Sequence, residues 1–317
     1  MTINQRSTRG SGVDRKRTWL SAGAAAALVA VTLLGAAAGC AGLGKAAQNI
    51  TYAATGDKKL AGIVGGAGTA LEGVAPIAYE EEVAIGGAIA VQIVNRFGGE
   101  YKGAGNQAAI LNKYVNTLGS AIALNSDRPD IPYHFLVLND DPPNALAAPG
   151  GYIFITKGTI KGCSSEAELA GVIGHEIAHV TQKHTLTVLQ RGKILQGAAE
   201  AGAAALQANP EQFAGLIDEA TKGIFETGLD KAKEFEADRL GTDFASRVGY
   251  NPKGLDNFLR TLGGIVGYKS SVLFKTHPDP ASRIGEIEKV LPGYKDRFGF
   301  PDVKARFEKV KGLAGLA

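Results

Sequence analysis

The sequence predicts an α+β fold, a helix-rich single domain with a small antiparallel sheet beside its most apolar helix. Apolar residues recur at helical spacing through much of the stretch 79–291, whereas 133–138 and 152–156 are rich in β-branched and aromatic residues. The chain has 317 residues and a hydrophobic content of 45%. That is enough for one good-sized domain or two small ones.

The first 39 residues are interpreted as a lipoprotein-type signal peptide. Arg15-Lys16-Arg17 precede the apolar run Trp19 to Ala38, which ends in small residues before Cys40. Ala-Ala-Gly-Cys resembles a bacterial lipobox, although Ala37 stands where Leu is usual, and Cys40 would carry the lipid. Ordinary cleavage and an uncleaved anchor are the alternatives.

Three regions follow from this reading of the N-terminus. Residues 1–39 are the signal peptide, 40–78 a tether rich in Gly and Ala, and 79–317 the domain. A membrane-associated segment is the alternative for the tether. A lipidated Cys40 would leave Cys163 without a partner, so no disulfide is expected.

The positive charge of the chain belongs to its N-terminus. The whole chain carries a net charge of +3, of which the first 40 residues contribute +4 and the remainder −1. A domain without excess positive charge offers no electrostatic surface for a phosphate backbone. Nucleic acid is therefore not an expected partner.

The remaining elements can be placed by periodicity and by capping and turn residues. Ser165 and Glu168 form a capping box, which predicts a helix start. Residues 144–148 lead into the second strand through Pro149-Gly150-Gly151. Residues 191–228 are predicted to be helices or a mobile flap. Further helices are predicted over 79–97, 108–124, 228–248, 252–262 and 280–291.

The helix that begins after Ser165 contains the motif His175-Glu176-x-x-His179. Residues four apart on a helix share a face, so both imidazoles can point at one ion. Glu176 lies about 100° further round, where it can reach a water without ligating the metal. Two imidazoles, a third ligand and an open fourth position suit catalytic zinc.

A second acidic helix offers the third ligand. Glu234 and Asp238 share one helical face, so Glu234 can ligate while Asp238 accepts the other N–H of a ligating imidazole. His184 lacks the spacing of a third histidine ligand and is predicted to be a surface residue. His134 lies in a predicted strand and is expected to be packed or hydrogen-bonded there.

The order of these motifs resembles the CAAX-prenyl-protease-like, HtpX-type family of zinc metallopeptidases (gluzincins), in particular its secreted bacterial lipoprotein members. The resemblance covers about residues 79–291. The matching segments are Asn144-Ala145-x-Ala147, Pro149–Phe154, Glu166–Ala170 with the histidine motif, Glu234-x-Glu236-Ala237-Asp238, Gly249–Pro252 and Thr276–Ile284.

The resemblance implies a catalytic domain with one zinc ion per chain, bound by His175, His179 and Glu234. It implies that Glu176 is the general base. His277 would lie near the metal, where it stabilises the oxyanion or occupies the open zinc position at rest. From its residue type and position alone, a histidine before a proline is also compatible with a plain turn residue.

The resemblance also implies an edge strand that holds extended substrate. Arg283 would contact substrate, or only brace its loop through an ion pair. Backbone pairing at a sheet edge reads little side-chain identity, which suits unfolded chains. The substrate-binding residues would be Asn144, Ala145, Leu146 and Ala147.

The expected function is therefore a zinc endopeptidase of the bacterial cell envelope. It would be held by a lipid anchor, at the outer membrane facing the periplasm, and act on unfolded or misassembled envelope proteins. The alternative is a non-proteolytic zinc-binding chaperone or assembly factor for outer-membrane proteins. A purely structural lipoprotein would leave the ordered site residues unexplained.

Overall fold

The computed structural model describes residues 77–195, 231–264, 276–277 and 280–317, with parts of 214–230. The sheet and the site belong to one compact unit, Ile77–Gly192 with Ala203–Ala317. The predicted signal peptide, Cys40 and almost all of the predicted tether lie outside the described residues, as does most of 196–228. Among the described residues, no helix combines the length and the hydropathy that a membrane span requires.

Helices dominate the described chain, and those predicted from periodicity are present. The predicted end of the helix over 228–248 is confirmed, because Gly249 has a φ of 104° and ends this helix in the left-handed conformation. In chain order the helices are α1 (Tyr79–Arg96), α2 (Gln107–Ala123), α3 (Lys157–Gly162), α4 (Glu166–Thr181), α5 (His184–Leu195), α6 (Lys231–Val248), α7 (Gly254–Gly263), α8 (Pro280–Val290) and α9 (Lys304–Leu313).

The sheet has strands β1 (His134–Leu138), β2 (Ala145–Ala148) and β3 (Tyr152–Thr156), in the order β1-β3-β2. The α+β class is confirmed, but the sheet is mixed rather than wholly antiparallel. β2 pairs antiparallel with β3, and β1 pairs parallel with it. The reason is that the chain passes from β1 to the far edge before it returns as β3, so the central strand comes last in the sequence.

The return from β2 to β3 is a short 3-10 turn over Pro149–Gly151. Gly150 and Gly151 have φ values of 77° and 99°, which side-chain-bearing residues rarely adopt. A β-carbon on Gly151 would also lie 2.2 Å from the carbonyl oxygen of Pro132. The two glycines therefore fix where β2 ends and keep it at the edge.

The two faces of the sheet belong to separate apolar clusters. Ala145 and Ala147 of β2 join the cluster around α4, whereas Leu146 and Ala148 join the cluster around α1. This alternation is the period of two that a strand imposes. The α1 cluster also includes Ile217, Ile224 and Phe225, from the partly described segment.

Helix α4 is buried along its whole length, from Glu166 to Thr181. The Ser165 hydroxyl accepts a hydrogen bond from the Glu168 backbone N–H at 3.2 Å, as the capping box predicts. The Glu168 carboxylate, however, accepts from the N–H of Ser164 rather than from that of Ser165. A buried helix of this kind holds its polar side chains in fixed positions.

Glycines let two helices cross α4 at backbone distance. A β-carbon on Gly174 would lie 2.6 Å from the Gly241 carbonyl oxygen of α6. A β-carbon on Gly171 would lie 2.6 Å from the Leu255 nitrogen of α7. These glycines thus let both α6 and α7 lie against the helix that carries the histidines.

Candidate metal centre

His175 and His179 lie one turn apart on α4, and their Nε2 atoms are 3.0 Å apart. The Glu234 carboxylate reaches them from α6. Its Oε2 atom is 3.6 Å from Nε2 of His175, and its Oε1 atom is 3.5 Å from Nε2 of His179. All three side chains are buried. The structure therefore brings the three predicted ligands together around one point.

His277 lies at the same point. Its Nδ1 atom is 2.7 Å from Oε2 of Glu234, and its ring centroid is 5.3 Å from that of His175. One ligand atom from each of His175, His179, Glu234 and His277 lies within 4.8 Å of the others. The arrangement brings four nitrogen and oxygen donors together, which is the donor chemistry of zinc.

Asp238 contacts the other face of the first imidazole. Its Oδ1 atom is 2.9 Å from Nδ1 of His175, the contact that the shared helical face predicts. An ionised carboxylate only accepts, so this contact places the hydrogen of His175 on Nδ1 and leaves the Nε2 lone pair facing Glu234. The Oε1 atom of Glu234 has no hydrogen-bond partner among the described residues. A buried carboxylate oxygen opposite an imidazole lone pair fits a cation between them.

Arg283 is buried and points into the protein. Its Nε and Nη2 atoms donate to Asp238 at 2.9 and 2.5 Å, and its Nη1 atom is 4.0 Å from Oε2 of Glu234. Nη2 also lies 3.2 Å from Nδ1 of His175. Of the two roles expected for Arg283, these contacts support the ion pair that braces the site.

The prediction that His184 lies on the surface is wrong. The residue is 3% exposed, and its Nδ1 atom lies 2.8 Å from Nδ1 of His179. Its Nε2 atom lies 3.3 Å from Oε2 of Glu236 on α6. The helix ends at Thr181 and the chain turns back at Lys183, a reversal that the spacing of the histidines does not show.

His134 lies in β1, as expected, but the residue is exposed, and it is not part of the donor cluster. Its ring stacks on Tyr152 with a centroid distance of 5.2 Å. Cys163 is buried, and no disulfide is present among the described residues, which do not include Cys40.

Burial and the neighbouring histidines set the pKa values of Glu176 and Glu234. It raises the pKa of Glu176 to about 7. Burial also acts to raise the pKa of Glu234, but the charge and hydrogen bond of His277, with His179 and His175, hold it at about 2. The two carboxyls, on neighbouring helices, therefore differ in function: Glu234 stays ionised, while Glu176 can exchange a proton near neutral pH.

Glu176 is 2% exposed and lines a small pocket. Ala145 of β2, His277 and Arg283 also line this pocket, and its apolar wall comes from Val172 and α7. A second pocket beside the donors is lined by Ala145, Leu146 and Ala147. The predicted edge strand therefore runs past both Glu176 and the donor cluster.

Asn144, predicted to begin the edge strand, lies immediately before β2, and its backbone is firmly held. Its N–H donates to the hydroxyls of Thr156 and Thr159, at 2.9 and 2.7 Å. The side-chain amide of Asn144 is buried and has no hydrogen-bond partner among the described residues. This orphan amide lies at the end of β2 that borders the pocket of Glu176.

Glu82 is a supporting residue whose role the sequence did not reveal. It lies in the first turn of α1, where it is buried and accepts hydrogen bonds from Nη1 and Nη2 of Arg128, at 2.9 and 3.2 Å. It also accepts the N–H of Gly150 at 3.0 Å and lies 3.3 Å from the Lys183 ammonium. Glu82 thus ties the turn after β2 to the end of α4. The burial of Glu82 indicates this supporting role, and only the tertiary contacts reveal it.

The sequence profile of peptidase family M48 matches residues 109–291, which include every donor of this cluster. The chain belongs to peptidase family M48. This assigns the domain to a family whose relatives are named metalloproteases and metalloendopeptidases.

Individual proteins that are similar to this chain are also named proteases or metalloendopeptidases. The chain is 32% identical over 187 residues to the beta-barrel assembly-enhancing protease of Yersinia pestis, a match that covers 56% of this chain and 38% of that protein. It is 26% identical over 185 residues to the metalloprotease YcaL of Escherichia coli, covering 58% and 72%. It is also 26% identical over 185 residues to a mitochondrial metalloendopeptidase of Schizosaccharomyces pombe, covering 56% and 52%. The match to the Yersinia protein spans less than half of that protein.

Proposed function

We propose that this chain is a zinc-dependent endopeptidase of the bacterial cell envelope that hydrolyses unfolded or misassembled envelope proteins. The observation that carries the proposal is the buried donor cluster of His175, His179 and Glu234 beside Glu176, next to the edge strand β2. The name of the Yersinia relative, a beta-barrel assembly-enhancing protease, supports the envelope as the setting.

His175, His179 and Glu234 would hold the zinc ion. When bound, zinc acts as a Lewis acid that polarises the scissile carbonyl and lowers the pKa of a water molecule. The chain supplies the proton transfers. Glu176, whose pKa is raised by burial to about 7 in the metal-free chain, would take the proton from the attacking water and return it to the leaving amine.

The edge strand supports extended binding of substrate. The N–H of Thr156 donates to the carbonyl of Asn144 at 3.0 Å, so Asn144 faces β3. In an antiparallel pair the inward-facing residues alternate, so the N–H and C=O groups of Ala145 and Ala147 face outward. Among the described residues these outward groups have no hydrogen-bond partner.

The other edge of the sheet is already occupied. The β1 residue Val137 accepts from the N–H of Tyr101 at 2.8 Å and donates to Asn112 at 3.4 Å. Asn116 donates to the carbonyl of Phe135 at 3.0 Å. Because β1 is capped in this way, β2 is the edge that can accept a substrate strand. Backbone pairing there would select unfolded segments rather than a particular sequence.

The location completes the proposal. The lipobox-like sequence supports a lipid anchor at Cys40, with the domain on the periplasmic side of the outer membrane. A protease on that side would meet envelope proteins before they fold.

One observation favours the alternative, a zinc-binding chaperone or assembly factor. His277 brings the number of clustered donors to four, which is the number found in closed structural zinc sites. A closed structural zinc site does not require a buried acid beside it, however, and Glu176 is such an acid.

Incubation of the purified chain with unfolded casein, with and without a chelator, separates the two functions. We expect cleavage that the chelator abolishes and zinc restores. Glu176→Gln should retain zinc and lose about 10²–10⁴-fold in turnover, the usual contribution of a general base. Zinc retention without any cleavage by the native chain would favour the chaperone, and undiminished cleavage by Glu176→Gln would overturn the mechanism.

A further inference from the structure

The two imidazoles of α4 contact helix α6 in different ways. His175 contacts a carboxylate of α6 directly, since its Nδ1 atom lies 2.9 Å from Asp238. The Nδ1 atom of His179 instead lies 2.8 Å from His184, whose Nε2 atom lies 3.3 Å from Glu236, also on α6. Each imidazole is therefore linked to a carboxylate of α6. His175 contacts its carboxylate directly, and His179 is linked to the other through the imidazole of His184.

The Glu236 carboxylate determines which ring nitrogens of His184 and His179 carry hydrogen. An ionised Glu236 only accepts, so it places a hydrogen on Nε2 of His184. A neutral His184 then has its lone pair on Nδ1, where it accepts the Nδ1–H of His179. The Nε2 lone pair of His179 is thereby left facing Glu234, 3.5 Å from Oε1.

The opposite arrangement does not suit metal binding. If His184 donated from Nδ1, its Nε2 lone pair would face the Glu236 carboxylate. His179 would then carry its hydrogen on Nε2, where it blocks coordination. Glu236 thus selects the tautomer of His179 that can bind an ion.

The backbone before His184 shows that this position is held. Lys183 has a φ of 52°, a left-handed conformation that residues with a side chain rarely adopt. Its ammonium lies 3.3 Å from the buried Glu82, and its N–H donates to the carbonyl of Val180 at 3.1 Å. The sharp turn brings His184 back under α4 and edge-on to His179, with ring centroids 5.0 Å apart.

We propose that His184, oriented by Glu236, is a positioning residue for His179: it accepts the Nδ1–H of that ligand and so presents Nε2 to the zinc ion. The inference rests on the proposed zinc site. A ligating histidine is commonly fixed in this way by a carboxylate or a carbonyl, and loss of the partner typically weakens metal affinity about 10–100-fold. Here an imidazole takes that place, and the carboxylate stands behind it.

The test uses a pair of substitutions that differ in one hydrogen-bond acceptor. His184→Asn and His184→Leu both remove the imidazole and have similar size, but only the amide oxygen of Asn can accept the Nδ1–H of His179. Zinc affinity is measured by competition with a chromophoric chelator on the full chain. We expect His184→Asn to bind within about 3-fold of the native chain and His184→Leu about 10-fold or more weakly.

A spectroscopic readout reports the hydrogen bond itself. In the zinc-loaded native chain and in His184→Asn, proton NMR should show a downfield, exchange-protected Nδ1–H signal from His179. In His184→Leu this signal should be lost or broadened. Equal zinc affinity of the native chain and both variants would overturn the proposal, as would His184→Asn binding as weakly as His184→Leu.

A second pair keeps the test independent of buried packing. The Glu236 side chain is 45% exposed, so the fold should tolerate both Glu236→Gln and Glu236→Met. Each removes one negative charge, and only Gln keeps an acceptor for His184. We expect Glu236→Met to bind zinc more weakly than Glu236→Gln, and equal affinities would contradict the role of Glu236. Failure of the native chain to bind zinc would instead contradict the proposed function.

Discussion

The backbone of Gly241 lies directly against that of His175, so that a β-carbon on Gly241 would be 2.4 Å from the His175 nitrogen. This contact sets the distance between α4, which carries the histidines, and α6, which carries Glu234 and Asp238. The position of the third ligand therefore depends on the absence of one side chain. A single methyl group at this crossing should separate the two halves of the site.

We accordingly expect Gly241→Ala to lower the free energy of unfolding by about 1–3 kcal/mol and to weaken zinc binding, because overpacking at a helix crossing forces the backbones apart. The matched control is Gly285→Ala in α8, where a β-carbon would meet nothing within 4 Å. That substitution should stabilise its helix by up to about 1 kcal/mol. Chemical denaturation and chelator competition measure both quantities. Normal zinc affinity in Gly241→Ala would show that the crossing tolerates a wider separation.

Burial of Glu176 should make the metal-free protein less stable as the pH rises. Its pKa is about 7 in the folded chain against an ordinary value of 4.5. Between these values the unfolded chain has released the proton that the folded chain retains, so raising the pH favours unfolding by up to about 3 kcal/mol. The amide of Glu176→Gln does not titrate, so this variant lacks the pH-dependent loss of stability. With chelator present, its Tm relative to the native chain should therefore rise from pH 5 to pH 8. A constant difference in Tm would show that burial does not raise the pKa of Glu176.

His277 should restrain hydrolysis. As a fourth donor beside His175, His179 and Glu234, it would complete a four-coordinate zinc site and so compete with water for the last position. We expect His277→Ala to retain zinc and to cleave unfolded casein faster than the native chain. Slower cleavage with zinc retained would instead assign His277 a catalytic role, such as stabilising the oxyanion.

The edge strand can be tested by removing one outward donor. Ala147→Pro deletes an N–H that the pairing pattern turns away from β3, and proline is tolerated where the lost N–H faces outward. We expect the variant to fold and bind zinc but to show a higher KM for peptides. Leu146→Pro is the comparison, because its N–H faces β3 and its loss should destabilise the sheet. An unchanged KM in Ala147→Pro would place the substrate elsewhere.

Local periodicity was enough to predict the helical parts of the site. The spacing of His175 and His179, and that of Glu234 and Asp238, places each pair on one helical face before any tertiary contact is known. The same reasoning predicted the contact between Asp238 and an imidazole, which is present at 2.9 Å. The resemblance to known metallopeptidases linked these two helices and pointed to His277.

Tertiary structure decided which of the remaining residues meet. The sequence predicted that His184 is exposed, but a left-handed backbone at Lys183 returns it beneath His179. The sequence predicted an antiparallel sheet, but β1 pairs parallel with β3 because the chain crosses to the far edge first. Helical spacing is a property of neighbouring residues, so the sequence determines it. The direction of a chain reversal and the partner of a strand depend on packing between distant segments, and only the folded chain shows them.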